Sequence, residues 1–248
     1  MKCDSAVKVI LVVAAIILFS SGLQAQKTKP GPAPKPTPKA AATKQQPGPT
    51  KTAAAEPAAR LAGLENEVLA EINNLRKNPA SYIGYLEQMK SNFKGNLVVL
   101  SDGTKLITSE GQPVVDDAIA FLKNVKPLTA FKLSPGLTRS SADHLLDLIG
   151  KNITGHKGSD GSWPPNRVDR YGFWSLEVKE NISYRAQSAR DIVLNMLIDD
   201  GNPKRDHRKN LLSSNLRFIG LSAGEGKSYG RLCVLVFAGE YSEKRLAK

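Results

Sequence analysis

The sequence predicts an α+β domain in which an antiparallel hairpin is covered by helices on both faces. Three observations lead to this prediction. Apolar residues recur at helical spacing over residues 64–89, 137–148 and 188–200. Near the C-terminus, residues 232–237 form an unbroken apolar run, Leu-Cys-Val-Leu-Val-Phe. Because alternate side chains of a strand point to opposite faces, such a run indicates a central strand that is buried on both sides.

The first 25 residues have the pattern of a secretory signal peptide. Two lysines flank the start of an apolar run over residues 9–19, and small and polar residues lead to Ala25. We expect cleavage after Ala25 and export to an extracellular or periplasmic location. An uncleaved membrane anchor is the alternative, but the run is shorter than the roughly 18 to 20 residues that a spanning helix needs. Cleavage removes Cys3 and leaves Cys233 as the one thiol, so no intramolecular disulfide is expected.

Residues 26–60 are dominated by Lys, Pro, Ala and Thr and contain eight of the chain's 15 prolines. This composition predicts an extended tether without a packed core. Six lysines and Arg60, against Glu56, give the tether a net charge of +6, half of the +12 of the whole chain. A cationic arm outside the cell is suited to anionic envelope polymers or lipid headgroups, and we predict no specific nucleic-acid partner. A solubilising spacer without a partner is the alternative.

The remainder, residues 61–248, is long enough for one domain with a sizeable core. Its first periodic segment is interrupted at Asn78-Pro79 and predicts two helices with a joint, because proline breaks a helix. Short apolar runs on either side of a Ser-Asp-Gly-Thr turn predict a small hairpin. Ser134 and Pro135 supply a capping residue and a first-turn proline for the next long helix. In order, the predicted elements are the helices of 64–89, the hairpin of 97–100 with 106–108, a short helix of 115–124, and a helix from 135 to 150.

Glycine and proline are too dense over residues 155–165 for regular structure, so His156 is predicted to lie on a loop. Ser188 and Asp191 have the spacing of a capping box, which indicates the start of a helix. We expect Cys233 to be inert, because an apolar site hides the sulfur. The predicted elements after the loop are a turn and short strand within 178–184, a helix from 188 to about 200, and a hairpin of 216–223 with 231–239.

Imidazole nitrogens and carboxylate oxygens are the groups that a divalent metal or an acid/base site requires. In the last third of the chain, His156 and His207 bracket Glu180 and the acidic pair Asp199-Asp200. Their spacing matches no short metal-ligand motif, so two unrelated surface histidines are the alternative. His144 is predicted to be a packed or partly exposed helix histidine, because only acids of its own turn are in reach to orient it.

Five motifs occur in a characteristic order along the chain. They are Arg76-Lys77-Asn78-Pro79, Leu133-x-x-x-Leu137, Gly155-His156, Glu180-Asn181-Ile182, and Gly201-Asn202-Pro203-x-x-x-His207-Arg208-Lys209-Asn210-Leu211. In this order they resemble the CAP superfamily of cysteine-rich secretory proteins, insect antigen 5 and plant pathogenesis-related proteins. The resemblance is to the bacterial type, the SCP-like extracellular domain, and covers residue 61 to about residue 241.

The resemblance implies an α-β-α sandwich, with a small antiparallel sheet between helical layers. It also implies a surface cleft with two histidines and two acids, which in some members holds a divalent ion such as zinc. Carried over by position, the cleft residues are His156, Glu180, Asp199 and His207, with Asp200 as the fallback for the second acid. His156 and His207 are the expected metal ligands, since two imidazoles and two carboxylates suit zinc and leave positions for water.

The sequence departs from the family pattern around the expected cleft. Lys179 stands where the family usually has glycine before the Glu-Asn pair; its side chain either places an ammonium in the cleft or restricts a backbone turn that glycine would permit. Asp206 precedes the second histidine where bacterial relatives commonly have glycine, and its carboxylate either orients that imidazole or is exposed. Arg208 is expected to be structural, pairing with a carboxylate such as Glu180 or Asp199, rather than to clamp a substrate.

Two classes of function remain. A secreted binding module uses the cleft for a divalent metal together with a small molecule, a lipid or an envelope polymer. A metal-assisted hydrolase uses the ion to activate water, with Glu180 as the catalytic general base. The chain has no nucleophile elbow and no HExxH motif, and we find no serine, histidine and aspartate order that would support a triad. We therefore favour the binding module.

Overall fold

The computed structural model of the chain describes residues 9–10, 55–99 and 105–244. Most of the predicted signal peptide and tether lies outside these residues, although a short strand and the first turns of a helix fall within them. In chain order the elements are β1 (Val9–Ile10), α1 (Ala55–Lys77), a 3-10 turn (Pro79–Tyr82), α2 (Ile83–Lys90), β2 (Phe93–Lys94), β3 (Leu97–Val99), β4 (Lys105–Ile107), α3 (Gln112–Leu122), β5 (Lys132–Leu133), α4 (Pro135–Lys151), α5 (Pro164–Val168), β6 (Gly172–Tyr184), α6 (Ala189–Ile198), α7 (Asp206–Leu211), β7 (Phe218–Gly226) and β8 (Gly230–Glu243).

The first periodic segment forms two helices with a proline joint, as predicted. Helix α1 ends at Lys77 because Asn78, which precedes a proline, leaves the helical region at φ −142° and ψ 78°. Pro79 then begins the 3-10 turn that leads into α2. Within the described residues, no helix is both long enough and apolar enough to cross a membrane.

A second, small sheet is formed by β1 to β4. Strands β3 and β4 pair antiparallel with Val98 opposite Leu106, which confirms the predicted hairpin, although its turn lies outside the described residues. Strand β2 pairs antiparallel with β3, and β1 pairs parallel with β4, giving the order β1-β4-β3-β2.

The main sheet has the strand order β5-β7-β8-β6. Strands β7 and β8 form the predicted antiparallel hairpin, and β8 lies between β7 and β6 as the predicted central strand. The predicted turn within 178–184 is wrong, because β6 is a 13-residue edge strand that begins at Gly172. Its outer half is mostly solvent-exposed and contains a bulge between Ser175 and Val178, so it lacks the apolar alternation that would have revealed a strand.

Side chains of β8 alternate between two apolar clusters. Val234 and Val236 pack with residues of α4 on one face of the sheet. Leu235 and Phe237 face the opposite cluster, to which α1, α3 and α6 contribute, and Cys233 is buried there as expected. The molecule is therefore an α-β-α sandwich, as predicted, with the antiparallel pairs of β6, β7 and β8 between helical layers.

Helix α4 approaches the sheet unusually closely at Gly220 of β7. A Cβ atom at this position would lie 2.1 Å from the carbonyl carbon of Leu137 and 2.1 Å from the amide nitrogen of Thr138. The Ser141 hydroxyl donates a hydrogen bond of 3.0 Å to the carbonyl oxygen of Gly220. Glycine is required here because two backbones meet without room for a side chain between them.

Two capped helices position the segments that flank the edge strand. The Ser134 hydroxyl accepts a hydrogen bond from the Leu137 amide at the start of α4, and the Ser188 hydroxyl accepts one from the Asp191 amide at the start of α6. Both caps match the predictions. Helix α6 ends at Ile198, and Asp199 takes a left-handed conformation with φ 53°. This turn directs the Asp199 side chain back toward the start of α7, as the contacts described below show.

Candidate functional site

One side of the site is a loop that carries His156. This loop lies between α4 and α5, and Gly155 adopts φ +87°, a conformation that favours glycine. His156 Nδ1 lies 2.9 Å from Oε1 of Glu180, a residue of the edge strand β6. The His156 side chain is 41% exposed, whereas the Glu180 side chain is only 1% exposed. The loop therefore places an accessible imidazole over a buried carboxylate.

The Arg167 side chain fixes the Glu180 carboxylate. Its Nη2 atom donates to Glu180 Oε2 at 2.7 Å and to the carbonyl oxygen of His156 at 3.1 Å. Both side chains of the ion pair are nearly inaccessible to solvent. Both oxygens of Glu180 are thus engaged within the protein. Sequence reasoning missed Arg167, because a single arginine in a short proline-capped helix carries no sign of a partner on a strand.

His144 is a third histidine at the site. It is completely buried on α4, and its Nε2 lies 2.8 Å from the Gly155 carbonyl oxygen and 3.7 Å from Glu180 Oε1. Since a carbonyl oxygen only accepts hydrogen bonds, Nε2 carries the proton. Burial lowers the pKa of His144, which favours the neutral imidazole. The predicted packed helix histidine is confirmed, but the nearby acid comes from β6 rather than from its own turn.

The other side of the site is the His207–Asp199 pair. His207 Nδ1 lies 2.8 Å from Asp199 Oδ1, and the His207 amide donates to Asp199 Oδ2 at 2.9 Å. The Asp199 side chain is 3% exposed and the His207 side chain 28% exposed. The backbone amide and the imidazole of His207 thus supply donors for the acid at the end of α6. Of the two candidate acids, Asp199 is the one beside His207.

Asp200 points away from this pair. Its carboxylate accepts hydrogen bonds from the amides of Ser109 and Glu110, at 2.7 and 2.9 Å, and so ties down the segment that leads into α3. Arg205 holds the same region: its guanidinium pairs with Glu110 at 2.6 Å and with Asp117 at 3.1 Å. Arg205 also donates to the carbonyl oxygens of two residues in the loop before α7. Sequence analysis missed this anchor.

The remaining predicted residues lie around the site without entering it. The Lys179 ammonium lies 3.5 Å from a Glu177 carboxylate oxygen. Asp206 is exposed, and no hydrogen bond or ion pair links its side chain to another described residue. Arg208 is buried and pairs with Asp117 at 2.9 Å rather than with Glu180 or Asp199. This pairing has a structural role, because α7 directs Arg208 toward α3.

The edge strand brings the two sides together. Adjacent residues of β6 point to opposite faces of the sheet, so Glu180 contacts the His156 loop while Asn181 contacts the α6–α7 side. The Asn181 amide donates to the His207 carbonyl oxygen at 3.0 Å. The His156 and His207 rings are 6.5 Å apart between centroids, with an interplanar angle of 55°. All four residues of the predicted cleft therefore lie in one place.

The protonation pattern of the two accessible imidazoles follows from their partners. A carboxylate oxygen accepts hydrogen bonds, so Nδ1 of each neutral ring carries the proton and Nε2 carries the lone pair. Within the described residues, no group of three or more His, Cys, Asp and Glu side chains is arranged to hold a metal ion. The two carboxylates are engaged by the histidine Nδ1 atoms, so the residues suited to contact an ion are His156 and His207.

The model of the cysteine-rich secretory protein family, CAP, matches residues 69–239, more than half of the chain. The chain belongs to the CAP family. The matched region of this CAP domain extends from α1 into β8 and includes all four cleft residues. No curated protein matches the chain.

Three solved structures are similar to parts of this CAP protein. An outer surface protein from Borrelia burgdorferi is 17% identical, with 48% of this chain and 80% of that chain covered and a TM-score of 0.38. An extracellular protein containing a SCP domain from Bacillus anthracis is 20% identical, with coverages of 51% and 39% and a TM-score of 0.35. A cysteine-rich secretory protein from Staphylococcus aureus is 16% identical, with coverages of 52% and 38% and a TM-score of 0.32. The match spans less than two fifths of the B. anthracis and S. aureus chains.

Proposed function

We propose that this CAP domain is a secreted binding module in which His156 and His207 hold a divalent ion, zinc in particular. The observation that supports this function is the matched pairing of each accessible imidazole with a buried carboxylate through Nδ1. Metal-binding histidines commonly have such a partner, which fixes the tautomer and the ring orientation. The ligand nitrogen of each ring would be Nε2.

The distance between the rings is close to what a shared ion requires. With zinc–nitrogen bonds of about 2.1 Å and tetrahedral angles, two imidazole centroids on one zinc are about 5 Å apart. The present separation is 6.5 Å, so a shared ion requires the two rings to approach each other by about 1.5 Å. Two histidines leave open positions for water or for an oxygen or nitrogen atom of an external ligand. When bound, the ion would supply a positive charge and a Lewis acid at the surface.

The state of Glu180 favours binding over hydrolysis. A general base must reach a water molecule through a free lone pair at hydrogen-bonding distance. The Glu180 carboxylate is instead buried, with one oxygen at 2.9 Å from His156 and the other at 2.7 Å from Arg167. In this arrangement it orients an imidazole and neutralises a guanidinium. We therefore assign Glu180 a positioning role in the proposed binding module.

Calorimetric titration of zinc at pH 7.5 tests the proposal. The wild-type chain should bind one zinc ion per molecule, and the His156→Ala/His207→Ala double variant should lose this binding. Asp206→Asn is a matched control, because it alters the exposed neighbour of His207 while leaving both imidazoles in place. Equal zinc binding by the double variant and the wild type would refute the metal site.

We also propose that the chain is exported and that its cationic tether associates with anionic envelope surfaces. The support is the signal-peptide pattern of residues 1–25 and the charge of +6 on residues 26–60. Cell fractionation tests export, and co-sedimentation with anionic vesicles tests the tether. Association should be lost on removal of residues 26–54, which carry the six lysines and precede α1, and should weaken steeply between low and high salt. Salt-independent association would contradict the electrostatic explanation.

A further inference from the structure

A second cleft, which we call the α1–α6 cleft, lies away from the histidine site. Its volume is about 640 Å³, and it is formed by the end of α1, the 3-10 turn with the start of α2, and the first turn of α6. Arg190 lines it, whereas Asp199 follows the last residue of the same helix. Because each helical residue advances the chain by 1.5 Å, the two positions are about 13 Å apart along the helix axis. The α1–α6 cleft is therefore separate from the cleft of His156 and His207.

One wall of the α1–α6 cleft is held rigidly by internal contacts. The Glu71 carboxylate accepts a hydrogen bond from the Tyr82 hydroxyl and pairs with Arg190 at 2.8 Å. The Arg190 guanidinium in turn lies 4.1 Å from the centre of the Tyr85 ring. Tyr82 and Tyr85 meet edge to face, with ring centroids 5.6 Å apart. The charges of Glu71 and Arg190 cancel, so this side of the cleft is nearly neutral.

The end of α1 offers polar groups that the domain itself does not use. Asn74, Lys77 and Asn78 are exposed at the end of α1 and line the cleft. Within the described part of the chain, their side chains make no hydrogen bond or ion pair. Each asparagine can both donate and accept, and the lysine provides an ammonium with three donors. The cleft thus combines two free amides with one net positive charge.

We infer that the α1–α6 cleft binds an acidic saccharide. Side-chain amides suit the hydroxyl and acetamido groups of a sugar, which both donate and accept hydrogen bonds. The Lys77 ammonium suits a carboxylate on the same sugar, since a charge-assisted hydrogen bond is stronger than a neutral one.

The exposed polar side chains of the cleft disfavour an acyl chain as its ligand. The volume of the cleft falls within the roughly 300–1,000 Å³ range that is typical of small-molecule sites. A fatty acyl chain would need an apolar channel, whereas buried amides and charges without partners cost free energy. Asn74, Lys77 and Asn78 line this cleft, so an acyl chain would strip them of water without replacing the hydrogen bonds to that water.

Two soluble oligosaccharides of equal length test the inference by calorimetry on the full chain. One alternates N-acetylglucosamine with N-acetylmuramic acid, which carries a carboxylate, and the other is a neutral oligomer of N-acetylglucosamine. The acidic oligomer should bind about tenfold more tightly than the neutral one. Lys77→Gln should remove this preference, and Asn74→Ala should weaken binding of both oligomers. Lys123→Gln removes the same charge from an exposed position outside the cleft and should leave both affinities unchanged.

Each outcome bears on the inference. Equal binding of the two oligomers by the wild type would overturn the inference. Equal effects of Lys77→Gln and Lys123→Gln would also overturn it, because they would show a general effect of charge, and the cationic tether is present in every variant. The titrations are repeated with a metal chelator on the His156→Ala/His207→Ala variant. Retained binding supports the α1–α6 cleft, and lost binding would overturn it by moving the saccharide to the histidine site. Zinc binding at the histidine site is tested separately, by the zinc titration described above.

Discussion

At the scale of single residues, the contacts of Glu180 determine how the His156 side of the site is built. Its carboxylate is surrounded by one arginine and two histidines, and the salt bridge with Arg167 is almost completely shielded from solvent. Removing one partner of such a pair leaves a buried charge without compensation, which is far more costly than losing an exposed pair. Two arginines of this region, the buried Arg167 and the exposed Arg170, allow the difference in cost between a buried and an exposed pair to be measured.

Arg167→Met should lower the free energy of unfolding by about 3–5 kcal/mol, because it leaves Glu180 buried and unpaired. Arg170→Met should lower it by no more than about 1 kcal/mol, because Arg170 is 41% exposed and its pairs with Asp143 and Asp160 face water. Urea denaturation of both variants gives the two values. Similar losses in the two variants would show that burial does not set the strength of the Glu180 pair.

His144 should make stability depend on pH. Burial lowers its pKa from the usual 6.5, and Arg167 and His156 act in the same direction, although Glu180 and the hydrogen bond to the Gly155 carbonyl oxygen oppose them. Below pH 6.5 the unfolded chain therefore binds a proton that the folded chain does not, so the free energy of unfolding falls as the pH decreases toward the native pKa. This pH dependence of stability has the opposite sign to that of a histidine whose protonated form is favoured by folding.

The comparison of wild type with His144→Gln isolates this effect. Glutamine can still donate to the Gly155 carbonyl oxygen but does not titrate. Between pH 7.5 and pH 5.5, the wild type should lose about 1 kcal/mol more stability than the variant, as measured by urea denaturation. An equal or smaller loss in the wild type would mean that His144 is protonated in the folded protein.

At the scale of elements, the contact between α4 and β7 depends on Gly220. Gly220→Ala should lower the free energy of unfolding by about 1–3 kcal/mol or more, since its Cβ would lie 2.1 Å from the backbone of α4. Gly63→Ala is the matched control in helix α1, where a Cβ atom meets nothing within 4 Å. It should raise stability by about 0.5–1 kcal/mol, because alanine favours a helix. A tolerated Gly220→Ala would imply that α4 can move away from the sheet.

The elements that the sequence predicted well are those with strong local signals. The proline at Pro79 and the caps at Ser134 and Ser188 mark helix boundaries through contacts a few residues away. The first half of strand β6, before the predicted short strand, escaped prediction because it is exposed and bulged at Ser175. Its position depends on pairing with β8, some 60 residues later, which no local pattern records.

In the site, too, residues with a local sequence signal could be predicted and residues whose partners lie far along the chain could not. The grouping of His156, Glu180, Asp199 and His207 was expected from a family resemblance, and spacing alone did not predict it. The positions of Arg167 and Arg205, and the proximity of His144 to Glu180, required the tertiary structure, because their partners lie on other elements. A residue that supports a site through contacts with distant elements leaves no motif in the sequence.

At the scale of the whole molecule, Cys233 reports on global unfolding. It is 1% exposed in the central strand, and burial raises the pKa of its thiol far above the usual value. In a Cys3→Ser background, which removes the other thiol of the chain, a thiol reagent should label the native protein more than about 100-fold more slowly than the urea-unfolded protein. Comparable rates would indicate that the sheet opens locally at β8.

The position of the histidines has a practical consequence for spectroscopy. The chain contains three histidines, and His144, His156 and His207 all lie in one site with three different exposures. In a nitrogen-15 NMR spectrum, every imidazole resonance of the protein therefore originates there. Tautomers, proton uptake and ion binding at Nε2 can be followed atom by atom in the unmodified sequence, with no background from histidines elsewhere.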